Sequence, residues 1–181
     1  MVRLFIPFVF LLSAASALAT PLKRDVPTVK ADIDNISTQV TNLDAKLTAF
    51  PDRGGSLKGA LDIHQAAGTL DTSLKKGASD TQATPTPSEA DSQAILASVE
   101  KFKPAILDAL KVIVAKKPAF QALPLPGITA VVLQDLKTLS TDAGALADAL
   151  IAKSPADLVD KANKIKSDLS SAFTTAIAAY S

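Results

Sequence analysis

Val26, Val29, Ile33, Ile36, Val40, Leu43, Leu47 and Phe50 follow one another at steps of three and four residues without a miss. That alternation places all eight side chains on one stripe of a helix about seven turns long. A stripe so regular on a soluble helix must be covered, by sister helices, by an apolar ligand or by an apolar surface. The rest of the chain has to be read for which of these it supplies.

The chain opens as a secretory leader. Arg3 gives the positive charge, Leu4 to Leu12 the apolar core, and Ala17-Leu18-Ala19 the small-residue cleavage pattern. The apolar run is short for a membrane span. Residues 1–19 are therefore expected to be a signal peptide, and residues 20–24 a processed or disordered segment ending in the dibasic pair Lys23-Arg24. Residues 25–181 are expected to form one domain, large enough to bury about 70% of its unfolded surface. With Arg3 removed, 18 basic residues face 18 acidic ones. That balance argues against nucleic acid or an anionic membrane surface as the main partner. Cysteine is absent, so a secreted chain must be held by packing alone. No later segment reads as a membrane span or lipid-anchor signal, so the product should be released.

No window in the remainder shows the period-two alternation of a half-buried strand. The first helix runs from about Asp25 to Phe50, and Pro51 to Gly55 breaks it. Ser56 caps a second helix reaching about Lys75. Gly77 to Pro87 reads as a linker, with Thr81, Thr84, Thr86 and Ser88 exposed for O-glycosylation. Ser88 and Asp91 resemble a capping box opening a third helix, which kinks or restarts at Pro104. Residues 105–115 carry two charges only and read as the central element. Leu123 to Gly127 is a connector, Ile128 to Ala152 a fourth helix, and Ser154-Pro155 the N-cap and first position of a fifth. The fold class is all-α: a bundle of about five amphipathic helices, antiparallel where loops are short.

The residues offer little for catalysis or metal binding. His64 is the lone histidine; without Cys or His company it reads as a partly buried helix residue making one hydrogen bond. Gly54-Gly55-Ser56-Leu57-Lys58 has the wrong fifth residue and no preceding strand for a nucleophile elbow. Asp32, Asp44, Asp148 and Asp157 read as scattered surface carboxylates. Lys161, Lys164 and Lys166 with Asp157, Asp160 and Asp168 read as a solvated face. No cofactor or metal is expected. Asn35-Ile36-Ser37 is a sequon that makes Asn35 a glycosylation candidate.

The interior is the sharper question. Beyond the leader the aromatics are Phe50, Phe102, Phe120, Phe173 and Tyr180, so the core is Ala, Leu, Ile and Val. A long bundle so lined either packs by close helix approach or encloses an elongated apolar cavity, which stays dry and accepts apolar guests. Its helices could also splay onto an interface.

The segment from Phe50 to His64 (Phe-Pro-Asp-Arg-Gly-Gly-Ser-Leu-Lys-Gly-Ala-Leu-Asp-Ile-His) resembles the fungal hydrophobic surface-binding protein A / cell wall galactomannoprotein family. Lys116 to Phe120, Leu139 to Asp142 and Ala172 to Ile177 follow in family order. The resemblance implies a secreted, disulfide-poor helical protein that is not an enzyme. It implies partners such as hydrophobic surfaces or fatty acids, with secreted hydrolases recruited to hydrophobic substrates. A cell-wall mannoprotein scaffold with a filled bundle is the alternative. The chain lacks the Ser/Thr-rich tail of the longer wall-bound members. On the first reading the contact residues are Val29, Ile33, Ile36, Val40 and Leu43 on the first helix and Leu61 on the second. The third contributes Val99, Ile106 and Leu110, the fourth Leu136 and Leu139, and the fifth Ile165 and Leu169.

Overall fold

The structure, a computed structural model, describes residues 25–181; the expected leader and the dibasic pair Lys23-Arg24 lie outside the described residues. Six helices follow in order: α1 Val26–Ala49, α2 Leu57–Ala83, α3 Glu89–Ala115, α4 Lys117–Gln121, α5 Ile128–Ala152 and α6 Ala156–Tyr180. The start of α1 is set by Asp25, whose carboxylate accepts from the Thr28 amide at 3.0 Å and the Thr28 hydroxyl at 2.6 Å. Pro27 sits in the first turn, where its missing N–H costs no helix bond. The ladder is buried as its spacing requires, from Val29 through Leu47, and Phe50 closes it.

The turn after α1 is shaped by Phe50. A Cβ on Gly55 would stand 2.5 Å from the Phe50 ring, and Gly54 has φ +71°, so both positions favour glycine. Ser56 caps α2 by accepting from the Gly59 amide at 3.0 Å. α2 then runs eight residues past Lys75, correcting the linker expected from Gly77. The Thr, Ser and Gly content suggests a loop, but Gly77, Ala78, Asp80 and Thr81 are buried, and tertiary burial overrides their low propensity. Gly77 faces α1, where an added Cβ would lie 3.1 Å from Ile36 Cδ1. Thr81 and Thr84 donate to the Gly77 and Asp80 carbonyls, both at 2.7 Å, and are buried, so they are not linker sites exposed for glycans.

Ser88 and Asp91 form the expected cap: the hydroxyl donates to Asp91 Oδ2 at 2.7 Å and accepts from its amide at 3.1 Å. α3 continues through Pro104. α4 was not apparent from sequence; it buries Ala119 and Phe120. At the other boundary Pro155, not Ser154, is the N-cap of α6. Ser154 instead finishes α5, its hydroxyl donating to the Leu150 carbonyl at 2.8 Å.

The five long helices form a closed ring: α1 packs on α2, α2 on α5, α5 on α6, α6 on α3, and α3 on α1. Chain-adjacent pairs α1/α2 and α5/α6 are antiparallel, as their short loops require. The cross-chain pairs α2/α5, α3/α6 and α1/α3 are parallel, as cross-links at matching register show: His64–Asp135 and Lys75–Asp142, Glu100–Lys161 and Lys103–Asp168, and Lys30–Asp91. The ring has no central helix. The apolar stretch 105–115 therefore occupies a wall, with Ile106, Leu107, Val112 and Val114 only partly buried. Likewise α6 is not simply solvated, since Lys161, Lys166 and Asp168 clasp it to α3 and α5.

Candidate functional site

One end of the ring, where α1 ends, is plugged. The Phe50 and Phe120 rings stack there with centroids 4.7 Å apart and planes 14° from parallel. The Tyr180 hydroxyl donates to the Ile113 carbonyl at 2.7 Å, and burial pushes that phenol well above its ordinary pKa. Lys117 reaches across the Tyr180 ring to the Ala179 carbonyl. Three of the five aromatics are thus concentrated at one end. The remaining length of the ring is walled by aliphatic side chains with Phe102 and Phe173, and it is not filled.

The space divides into two apolar lobes of about 110 Å³ and 70 Å³. Apolar cavities of roughly 150 Å³ stay dry and take up small hydrocarbons. The larger lobe lies toward the Asp25 end and the smaller toward the aromatic plug. Val40, Leu70, Ile106, Leu139 and Phe173 border both lobes. Each comes from a different long helix, so the five make a waist.

Most of the expected contact residues meet here. Val29, Ile36, Val99, Ile165 and Leu169 line the larger lobe, Leu43, Leu110 and Leu136 the smaller, and Val40, Ile106 and Leu139 both. Ile33 is 1% exposed yet borders neither lobe, being packed in the solid part of the wall. Leu61 is 52% exposed and outside the cavity. It sits one step off the stripe Ala60, Ile63 and Ala67 that α2 buries. Sequence reasoning left out Leu70, Phe102, Leu146 and Phe173, all on helical stripes but indistinguishable there from ordinary core.

Most charge lies at the seams between helices, while Lys153 and Lys166 border the larger lobe and Asp135 the smaller. Lys76 bridges Asp32 on α1 and Asp80 on α2. Asp32 is therefore a buried seam residue, not a surface one; burial first, and its neighbour Asp80, hold its carboxyl above the usual range against the pull of Lys76. Lys75 bridges Asp71 and Asp142 between α2 and α5, and burial again raises Asp142. His64 Nδ1 lies 2.8 Å from Asp135, whose carboxyl is raised by burial although the imidazole opposes this. The histidine itself is exposed, 49% at the side chain, rather than partly buried. Asn35 is exposed on α1, its amide donating to Ser73 Oγ at 3.0 Å. Among the described residues no cluster of three or more His, Cys, Asp or Glu could hold a metal ion. None of the described helices is long and apolar enough to cross a membrane.

A family model described as hydrophobic surface binding protein A matches residues 26–152. The chain belongs to the hydrophobic surface binding protein A family. The match spans α1 to the end of α5, the elements that build most of the ring. The chain is also 29% identical over 171 residues to cell wall mannoprotein 1 of Aspergillus fumigatus, covering 93% of this chain and 57% of that relative, so it spans little more than half the relative's length. Among solved structures, AfMp4p in complex with palmitic acid aligns with a TM-score of 0.80 and 30% identity, covering 87% of this chain and all of that one. Ligand binding domain 1 of the Penicillium marneffei MP1 protein, complexed with arachidonic acids, aligns with a TM-score of 0.78 at 20% identity, over 87% of this chain and 99% of that one. At that identity the second likeness speaks to the fold alone.

Proposed function

We propose that this family member binds long-chain fatty acids inside the helical ring, as a non-catalytic protein acting outside the cell. The observation that carries the reading is the two-lobed apolar cavity, bordered by all five long helices and left open because the aromatic side chains are concentrated at one end. An acyl chain entering such a dry space takes its own apolar surface out of water and gains dispersion contacts that an empty space forfeits. The palmitic acid complex of AfMp4p, on the same fold at 30% identity, supports this ligand class. The leader and the mannoprotein relative support an extracellular or cell-wall location.

A second mode, adsorption to hydrophobic surfaces, rests on a different feature. Leu57, Leu61, Leu125 and Val131 are all at least 41% exposed. They come from the starts of the parallel neighbours α2 and α5 and the connector before α5, at the plugged end of the ring. Recruitment of secreted hydrolases would follow from that mode. The test is direct. Purified protein is extracted with organic solvent, and the delipidated form is titrated with palmitic acid by native mass spectrometry. Acyl chain in the extract and saturable uptake are expected. Uptake no greater than that of a control helical protein would overturn the reading.

A further inference from the structure

At the Asp25 end the larger lobe stops being purely apolar. Six polar side chains border it there: Thr81, Thr84, Ser92, Lys153, Ser154 and Lys166. Five have protein partners. The two threonines and Ser154 each donate to the carbonyl four residues back. Lys166 pairs with Asp148 on the outer face of the α5/α6 seam. Lys153 donates to the Thr84 carbonyl at 2.8 Å, joining the end of α5 to the connector between α2 and α3. Ser92 is the exception: it is 7% exposed, and its hydroxyl has no hydrogen-bond partner among the described residues. A buried hydroxyl left unmatched is destabilising. Many serines in a helix relieve this by donating back one turn, as other hydroxyls around this cavity do. Ser92 instead borders the lobe with its oxygen unmatched.

We propose that Ser92 and Lys153 form a carboxylate site at the mouth of the cavity, receiving the head group of a fatty acid whose chain runs toward the waist. The inference rests on the fatty-acid reading above and deepens it. A carboxylate accepts from the Ser92 hydroxyl, giving that group the partner it lacks. It also offers the Lys153 ammonium an oppositely charged acceptor in place of the neutral Thr84 carbonyl, adding Coulomb attraction to a hydrogen bond that the ammonium already strengthens. Lys153 thereby acts as a latch. Without ligand it ties the α2–α3 connector to the end of α5; with ligand it turns to the head group. Along α3 the rise from Ser92 to Ile106 is about 21 Å, so a chain anchored at the mouth traverses the whole larger lobe before it meets the waist.

The test compares palmitic acid with hexadecanol, which shares its chain and lacks its charge, by calorimetric titration of delipidated protein at neutral pH. Wild type should bind the acid about tenfold more tightly than the alcohol. Lys153→Met should erase that preference by weakening the acid alone, and Lys153→Arg should retain it. Ser92→Ala should weaken the acid several-fold while raising the melting temperature of the ligand-free protein, an opposite pair that a merely structural serine would not give. Equal affinity of wild type for acid and alcohol would overturn the head-group site and leave the cavity reading standing. So would equal weakening of both ligands in Lys153→Met. Binding of neither ligand by wild type would overturn the cavity reading itself.

Discussion

Phe120 stacks on Phe50 at 4.7 Å, joining a short helix absent from the periodic pattern to the last step of the ladder that opens the domain. The contact closes one end of the ring and draws bulky side chains away from its middle. Phe120 is 1% exposed. Phe120→Ala should therefore cost about 3–5 kcal/mol, the range for deleting a buried ring. Urea unfolding followed by circular dichroism would show this as a lowered midpoint with the slope unchanged. A loss below about 1 kcal/mol would mean that the plug is not packed as described.

The waist gives a prediction about chain length. Ile106 borders both lobes, and a larger side chain there narrows the passage between them. Ile106→Phe should lower affinity for eicosanoic acid, whose extended chain exceeds the roughly 21 Å from Ser92 to the waist, about tenfold while leaving decanoic acid, which ends short of the waist, within twofold. Overpacking is destabilising by about 1–3 kcal/mol, so helicity at room temperature should persist, and far-ultraviolet circular dichroism checks it. Equal loss for both acids would show that the lobes do not act in series.

Ladders at α1, α5 and α6 made those helices legible in the sequence, because each buries one unbroken stripe and period decides its structure. The end of α2 was not legible: Gly77 and Thr81 have turn chemistry locally yet lie buried within the helix, Gly77 against Ile36 of α1. The ring itself was also hidden, since an amphipathic stripe says that a helix is covered but not by which neighbour. Hence residues 105–115 read as a centre when they form a wall. The stripe residues named from sequence lie along the cavity walls, except Ile33, where the wall is solid, and Leu61, which lies off the stripe. Ser92 carries no sequence signal at all; a serine in the first turns of a helix is ordinary, and only its missing partner marks it.

The seams predict an unusual pH profile. Asp32, Asp44, Asp135 and Asp142 all titrate above the ordinary aspartate value of 3.8, burial being the first cause in each. A carboxyl raised by folding stabilises the protein while protonated, and the stabilisation is lost as pH rises through the folded value. These four therefore weaken the fold on going from about pH 4 toward neutrality. Asp91 and Asp168, lowered chiefly by hydrogen bonds from Lys30 and Lys103, act oppositely and lose their contribution below pH 4. The urea midpoint should be highest near pH 4–5 and lower at pH 7. Asp44 gives the cleanest check: its Oδ1 has no hydrogen-bond partner and Asp108 repels it. Asp44→Asn should raise stability at pH 7 by about 1 kcal/mol and flatten the profile. A midpoint rising steadily from pH 4 to 7 would contradict the account.

Leu61 separates the two modes of binding. Its side chain stands outside the cavity at the plugged end, near Leu57 and clear of the buried stripe of α2. Leu61→Asp should change stability by no more than about 0.5 kcal/mol, as surface substitutions do, and leave palmitic acid affinity unaltered. The same change puts a charge into an exposed apolar group whose burial against a hydrophobic bead would be favourable by about 25 cal/mol for each Å² covered. Depletion from solution by such beads should fall several-fold. Ile36→Asp, by contrast, places a carboxylate at a site 1% exposed and should prevent folding altogether. If Leu61→Asp left bead adsorption at the wild-type level, adsorption would have to use the inner stripes, and with them an opening of the ring that also releases bound fatty acid.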